Sequence, residues 1–218
     1  MVDRGPLIHW ISTRWVSTVI AGVLAAGCSS SEVDSGTYVA RLSAPDAWVA
    51  VAIEDDRAVA YTCGAGPDLT EQTRWMAGTV SDGRVVATRD GWRIDLETSD
   101  DETLTGSLTA PDGDTASVAA EVLPPPGGVD GLRGLLTSVV DGCRAGVIID
   151  ADGSARGAFC TELGFLSQVT PVMPVQDAVD VLAVEALAPE GGPVSFSVTP
   201  VDIPALHREL DAATAVGN

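Results

Sequence analysis

The sequence predicts an all-β fold, an antiparallel meander forming a barrel or sandwich, with a short helical insert and a C-terminal helix. Two observations lead to this prediction. Short apolar and β-branched runs alternate with polar turns at a spacing of about ten residues, which is typical of barrels and sandwiches. Asp-Gly pairs stand in these turns and supply the left-handed backbone that two-residue hairpin loops require. The pairs are Asp82-Gly83, Asp90-Gly91, Asp112-Gly113 and Asp152-Gly153.

The first part of the chain is predicted to form a succession of strands with one helical segment between them. Asp68 and Glu71 have the Asp-x-x-Glu spacing of a capping box, in which side chains satisfy the free backbone N–H groups of a first helical turn. This spacing predicts a short helical segment that runs through Met76. The predicted strands are residues 38–42, 48–53, 58–63, 77–80, 84–88, 92–97, 103–109 and 115–122.

A proline- and glycine-rich run at residues 124–128 is the one internal boundary that the sequence suggests, because such a run forms neither helix nor central strand. Strands are predicted beyond it, followed by an apolar, proline-broken packed loop at 161–175. A last hairpin comes next, although a helix stays open for its first arm because alanine, leucine and glutamate favour helices. The predicted strands are residues 132–140, 144–149, 155–160, 179–187 and 194–201.

The chain is predicted to end in an amphipathic helix over residues 204–216. Asp202 stands where a helix cap is expected. The apolar face of this helix consists of Ile203, Leu206, Leu210 and Ala213.

The segment from Trp15 to Cys28 has the composition of an export signal. Arg4 and Arg14 precede an uncharged, mostly apolar core that ends in small residues. With about 13 residues, this core is shorter than the ~20 that a membrane span needs. The sequence therefore predicts a protein that is exported from the cytoplasm.

The end of this segment, Leu24-Ala25-Ala26-Gly27-Cys28, resembles the lipobox of bacterial lipoprotein precursors, although Ala25 stands where that family usually has a larger aliphatic residue. The resemblance implies cleavage before Cys28 and a diacylglycerol on its thiol. An ordinary signal peptide and an uncleaved anchor are the alternatives. The predicted organisation is a signal peptide at 1–27, a tether at 28–36, a β domain at 37–201 with a sub-boundary left open at 124–128, and a helix at 202–218.

The part of the chain that would remain after cleavage is strongly acidic. It contains ten arginines and no lysine against 30 aspartates and glutamates, a net charge of about −20. Phosphate backbones and anionic lipid surfaces repel such a chain, so nucleic acid is not an expected partner. Attachment to the membrane would come from the acyl chains instead.

The cysteines predict one disulfide, because disulfides persist outside the cytoplasm. If Cys28 is acylated, Cys63, Cys143 and Cys160 remain, and they allow three pairings. A turn at Asp152-Gly153 would bring Cys143 and Cys160 close together on adjacent strands. We therefore expect these two to form the bridge, with the other pairings left open.

From Tyr38 to about Cys160 the chain is similar to small exported β-proteins of actinobacteria that have no assigned activity. The similarity rests on the strand and turn patterns of residues 38–40, 57–63, 78–80 and 145–153. It implies a fold and a compartment, and it brings no catalytic residues.

Few residues suit catalysis. His207 is the one histidine after the signal segment; we expect it at an exposed helix position, and no Gly-x-Ser-x-Gly elbow accompanies it. No cofactor and no metal are predicted, because one histidine and three scattered cysteines do not form a cluster of ligands. Carboxylates are numerous but stand mostly in turns. A carboxylate-dependent hydrolase that acts on envelope glycans is kept as the alternative function.

Trp75 and Met76 are the candidate ligand or partner surface, because we expect them at the end of the helical insert, over the interior of the sheet. Packing in the core is the competing interpretation. The function predicted is that of a non-enzymatic lipoprotein of the cell envelope, anchored at the outer face of the cytoplasmic membrane. It would bind an envelope protein or an apolar small molecule.

Overall fold

The computed structural model describes residues 33–100, 102–124, 132–140, 142–160, 166–172, 174–175, 178, 180–188 and 191–216. They form two closed antiparallel β-barrels, the first of eight strands and the second of six. The predicted all-β meander with a short helical insert and a terminal helix is confirmed. Both sheets close as barrels, which decides between barrel and sandwich.

The first barrel is an up-and-down meander in which each strand pairs with the next and the last strand pairs with the first. The insert between its third and fourth strands consists of a 3₁₀ turn at Gly66–Asp68 and the short helix α1 at Leu69–Gln72. Its strands are β1 Gly36–Ser43, β2 Asp46–Glu54, β3 Arg57–Gly64, β4 Arg74–Ser81, β5 Arg84–Arg89, β6 Trp92–Asp100, β7 Thr103–Thr109 and β8 Thr115–Val122.

Two of the Asp-Gly pairs form the tight turns that the sequence predicts. Asp82 and Gly83 have φ angles of 50° and 74°, and Asp90 and Gly91 have 50° and 80°. Positive φ at both central residues matches the right-handed twist of the flanking strands. These turns fix the register of β4 against β5 and of β5 against β6.

The helical insert is shorter than predicted, since α1 ends at Gln72 and Trp75 and Met76 lie in β4. The predicted capping box does not form. The Asp68 carboxylate instead accepts a hydrogen bond from the backbone N–H of Asp46, at 3.1 Å, and makes no cap contact with α1. The carboxylate thus ties the insert to the start of β2.

The second barrel closes in the order β10-β11-β12-β13-β14-β9. One of its strands, β12, lies in the stretch where the sequence predicts a packed loop, so that prediction is wrong. Only Val169 is buried in β12, and the apolar alternation that marks a strand is therefore missing. The strands are β9 Gly134–Val140, β10 Cys143–Ile149, β11 Ala155–Cys160, β12 Leu166–Pro171, β13 Leu182–Leu187 and β14 Pro193–Pro200.

The last hairpin and the terminal helix are where the sequence predicts them. β13 pairs with β14, and the helix α2 spans Ile203–Val216. The Asp202 carboxylate accepts a hydrogen bond from the backbone N–H of Ala205 at 3.0 Å, which confirms the predicted cap. Leu206 and Leu210 of the predicted apolar face are buried between the helix and the barrels.

The predicted β domain at 37–201 comprises two barrels. The first ends at Val122 and the second begins at Gly134, on either side of the run at 124–128, of which only Pro124 is described. Val33, which belongs to the predicted tether at 28–36, is buried in the core of the first barrel. Within the described residues, no helix combines the length and hydropathy that a membrane crossing needs.

Strands β2 and β3 are buried on both faces, because they separate two cores. Successive side chains of a strand point to opposite faces. Val49 and Val51 therefore fill the interior of the first barrel. Trp48 and Ala50 face outward into a second core, the inter-barrel core, which also contains Ile148 of the second barrel. This explains why β2 is apolar without interruption rather than alternating with polar residues.

Ion pairs and a shared indole connect the barrels at one edge of this core. Arg41 of β1 donates to Asp152 at 2.8 Å, and Arg156 of β11 donates to Asp46 at 2.6 Å. Both guanidinium groups lie over the ring of Trp48, at 4.5 and 5.1 Å from its centroid. The backbone N–H of Ser154 and then Arg41 lower the pKa of Asp152 to about 2. Exposed ion pairs contribute little each, so burial of the apolar core carries most of the contact.

The packing of β10 against the first barrel requires glycine at position 146. A Cβ atom there would lie 2.5 Å from Cζ of Tyr61 and 2.7 Å from Cζ2 of Trp75. Both rings are buried and cannot move aside without disturbing the inter-barrel core. Gly146→Ala should therefore lower the free energy of unfolding by about 1–3 kcal/mol, as overpacked cores do, measured by urea denaturation.

Gly192→Ala is the matched control, because nothing lies within 4 Å of a Cβ atom there and its φ is not in the left-handed region. This variant should unfold within about 0.5 kcal/mol of the wild type. Equal stability of the two alanine variants would contradict the close approach of the barrels at Gly146.

Candidate functional site

A cleft of about 270 Å³ opens where the two barrels and α2 meet, and it is termed here the inter-barrel cleft. It lies beside the inter-barrel core and shares Tyr61, Trp75 and Leu210 with it. Its lining residues come from both barrels and from α2, which together are called the three bodies below. They are Tyr61, Thr73, Arg74, Trp75 and Arg89 from the first barrel, Arg144, Ala158, Cys160 and Leu166 from the second, and Glu209, Leu210 and Ala213 from α2.

Two aromatic side chains form one wall of the cleft. Tyr61 and Trp75 are paired across β3 and β4, with ring centroids 4.4 Å apart. The Trp75 indole Nε1 is buried and has no hydrogen-bond partner among the described residues. Burial, and then the nearby Cys63 thiol, raise the pKa of Tyr61 well above its ordinary value. A buried donor without an acceptor costs free energy, so a ligand oxygen that reached the Trp75 donor would be stabilised by it.

Arg74 is next to Trp75 at the start of β4, and its side chain is half-buried. Its guanidinium carbon lies 3.7 Å from the centroid of the Trp92 ring, which fixes the side chain by a cation–π contact. Its Nε is buried and has no acceptor within the described part of the chain. Burial lowers the pKa of Arg74 to about 10, and Asp90 offsets part of that effect. Arg74 is therefore a cation in a partly desolvated position.

Arg144 and Glu209 form an ion pair in the lining of the cleft. Arg144 Nη2, on the second barrel, forms an ion pair with Glu209 Oε2, on α2. Thr137 accepts a hydrogen bond from Arg144 Nη1 at 3.2 Å, which orients the guanidinium group. The Arg144 side chain is 17% exposed and that of Glu209 is 62% exposed. The cation is thus held within the protein, whereas its carboxylate partner lies toward solvent.

Of the predicted surface pair, the structure places only Trp75 at a cavity. Met76 is fully buried inside the first barrel, so its prediction as part of a ligand or partner surface is wrong. The physical reason is that both residues belong to β4, where neighbouring side chains point to opposite faces. Trp75 faces the cleft and the inter-barrel core, and Met76 faces the barrel interior.

The predicted disulfide between Cys143 and Cys160 is present, with the two Cα atoms 5.6 Å apart. It joins the start of β10 to the end of β11, and Cys160 lines the cleft. Cys63 is a free, buried cysteine, and burial raises the pKa of its thiol to about 11. Cys28, the predicted lipidation site, lies outside the described residues.

His207 is not at the exposed position that the sequence suggests. It is buried, with Nε2 2.8 Å from the carbonyl oxygen of Gly78 and Nδ1 3.1 Å from Oδ2 of Asp211. The ring therefore bridges α2 to β4 of the first barrel. This contact is one of those that hold α2 on the first barrel.

Several of the carboxylates that the sequence leaves available for chemistry are engaged in ion pairs. Asp95 contacts Arg84 and Arg93, and the hydrogen bond from Arg84 is the main cause of its pKa being lowered to about 2. Asp150 and Asp152 both contact Arg41. Among the residues that the structure describes, no group of three or more histidines, cysteines and acids could hold a metal ion.

Two larger cavities have no cation available to a ligand among their described lining residues. One, of about 1000 Å³, lies where the chain passes between the barrels; its cation, Arg133, already donates to the carbonyl oxygens of Asp150 and Ala151. Another, of about 520 Å³, lies beside Ala44, Pro45 and Trp92 in the first barrel and has no basic residue in its lining. The inter-barrel cleft is therefore the candidate site.

The sequence analysis does not identify Arg74, Arg144 or Glu209 as site residues. They are up to 135 positions apart, and no short motif connects them. Two signals were available in the sequence. One is the order Arg74-Trp75, a cation beside an aromatic ring, and the other is the position of Arg144 directly after Cys143, which the sequence predicts to be bridged.

Comparison of the chain with models of protein families, with curated proteins and with solved structures found no match in any of the three.

Proposed function

We propose that this chain is a lipid-anchored binding protein of the cell envelope that holds a small ligand in the inter-barrel cleft without converting it. The observation that carries the binding role is the cleft itself, whose lining residues Arg74 and Trp75 each have a buried donor without an acceptor among the described residues. Small-ligand sites typically combine apolar walls with a few such polar groups.

The chemistry of the lining favours binding over hydrolysis. Among the described residues, Glu209 is the one carboxylate that lines the cleft, and it is paired with Arg144. A paired-acid glycosidase needs two carboxyl groups facing one bond, about 5–10 Å apart. The arrangement suits recognition of a ligand by charge and hydrogen bonding.

The proposed location rests on the segment that ends at Cys28. The bridge between Cys143 and Cys160 supports it, because disulfides persist mainly in oxidising compartments. Five residue steps separate Cys28 from the buried Val33, a distance of at most ~18 Å. An acylated Cys28 would therefore hold the first barrel close against the bilayer.

Replacing Cys28 by alanine tests the anchor. In the host that processes the signal segment, Cys28→Ala should move the protein from the membrane fraction to the soluble extracytoplasmic fraction. Mass spectrometry of the wild type should find a diacylglycerol on Cys28. Cys63→Ala is the matched control, because this buried thiol cannot carry the anchor and its loss should leave the membrane fraction unchanged. Unchanged partitioning of Cys28→Ala would contradict lipid anchoring.

Filling the cleft tests the binding role. Ala213 is exposed on α2 and lines the cleft, so Ala213→Trp should block it and lower the share of protein that carries a co-purified ligand at least several-fold. Native mass spectrometry of protein isolated from its own membranes measures that share. Ala212→Trp is the control, since its neighbour Ala212 is also exposed but does not line the cleft. Equal ligand occupancy in the two tryptophan variants would refute the cleft as the binding site.

A further inference from the structure

We propose that the ligand of the inter-barrel cleft is a small organic anion whose carboxylate or phosphate group binds Arg144 in place of Glu209 and whose apolar body packs against Trp75. This inference rests on the proposed binding function and adds the chemical class of the ligand. Four features of the cleft support it.

The first feature is the local charge. The chain has a formal net charge of −19, yet three arginines line this cleft, Arg74, Arg89 and Arg144, and Glu209 is the one carboxylate among the described lining residues. Asp90, which is outside the lining, pairs with Arg89 at 3.5 Å. Elsewhere, arginines such as Arg41 and Arg84 lie against two carboxylates each. A concentration of cations in a protein of opposite net charge creates a local attraction for an anion of small size.

The second feature is the carboxylate already present on Arg144. Glu209 shows that the guanidinium group of Arg144 can receive a carboxylate at this position. The Glu209 side chain is 62% exposed, so leaving the ion pair would return it to water. A ligand anion can therefore take its place by exchange, and Arg144 would remain held by Thr137. Arginine is well suited to this exchange because its fork matches carboxylate and phosphate oxygens.

The third feature is the set of unused donors. The Nε–H of Arg74 and the Nε1–H of Trp75 can only donate, and neither has an acceptor among the described residues. The oxygens of an anion are acceptors, so an anion that reached these two groups would satisfy them. A cationic or purely apolar ligand would leave these donors unsatisfied.

The fourth feature is the size of the cleft. Its volume of about 270 Å³ is that of roughly nine water molecules at ~30 Å³ each. This space accommodates a small acid with a ring or a short alkyl body. The rings of Tyr61 and Trp75 supply the apolar wall against which that body would pack.

The test uses the purified protein, dialysed to remove co-purified ligand, and three probes of similar shape. Phenylacetate and phenyl phosphate carry the two anionic groups, and phenylacetamide is the neutral counterpart of phenylacetate. Isothermal titration calorimetry at low ionic strength measures their affinities. We expect at least one anion to bind about tenfold or more tightly than the amide. The preferred anion then distinguishes a carboxylate ligand from a phosphate ligand.

Three variants test whether the anion binds to Arg144. Arg144→Gln should weaken binding of the preferred anion by about tenfold or more, because a charge-assisted hydrogen bond is lost. Glu209→Gln should strengthen it several-fold, because the internal competitor is removed. Arg208→Gln removes the same charge from a neighbouring exposed position that does not line the cleft, and should leave the affinity within about twofold. If Arg144→Gln fails to fold, the gain in affinity of Glu209→Gln decides alone.

Two outcomes would overturn the inference. The first is that neither anion binds more tightly than phenylacetamide, including the case in which no probe binds wild type or Glu209→Gln at millimolar concentration. The second is that Glu209→Gln leaves anion affinity unchanged or lowers it. If either occurs while Ala213→Trp still removes the co-purified ligand, the cleft binds a ligand of another class and the proposed function stands. If Ala213→Trp has no effect, the proposed function itself fails.

Discussion

The close approach of Gly146 to the rings of Tyr61 and Trp75 is the constraint on which the rest of the structure depends. It brings the backbone of β10 against the outer face of β3 and β4, which is possible only without a side chain at that point. Next to this contact, both faces of β2 and β3 are buried. One face lies in the barrel interior and the other lies in the inter-barrel core. The second barrel and α2 cover what would otherwise be an exposed apolar surface.

The inter-barrel cleft is a consequence of the same packing. Two convex barrels and a helix touch along the inter-barrel core but cannot fill the space at its edge, and polar side chains of all three bodies line that space. Arg74 is fixed there by Trp92, and Arg144 by Thr137, so the two cations are positioned by contacts within their own barrels. A site of this kind exists only while the barrels stay together. Its ligand would bind all three bodies at once and favour their association.

The sequence is informative where the signal is local. The turns at Asp82-Gly83 and Asp90-Gly91, the cap at Asp202 and the bridge between Cys143 and Cys160 follow from residues near one another in the chain. The sequence does not predict the strand β12, because only one of its side chains is buried and no alternating apolar pattern results. The second barrel, the burial of His207 and the cleft depend on contacts between distant segments. No periodicity or motif in one sequence encodes such contacts in a readable form.

We expect the two barrels to unfold as one cooperative unit, because they share the inter-barrel core. Hydrogen–deuterium exchange measured by mass spectrometry over a series of urea concentrations tests this expectation directly, because it follows peptides of each barrel separately. Strands β3 and β10, which meet at Gly146, should lose protection together with the other strands of both barrels in one transition. Two transitions at clearly different urea concentrations, one for each barrel, would contradict this expectation.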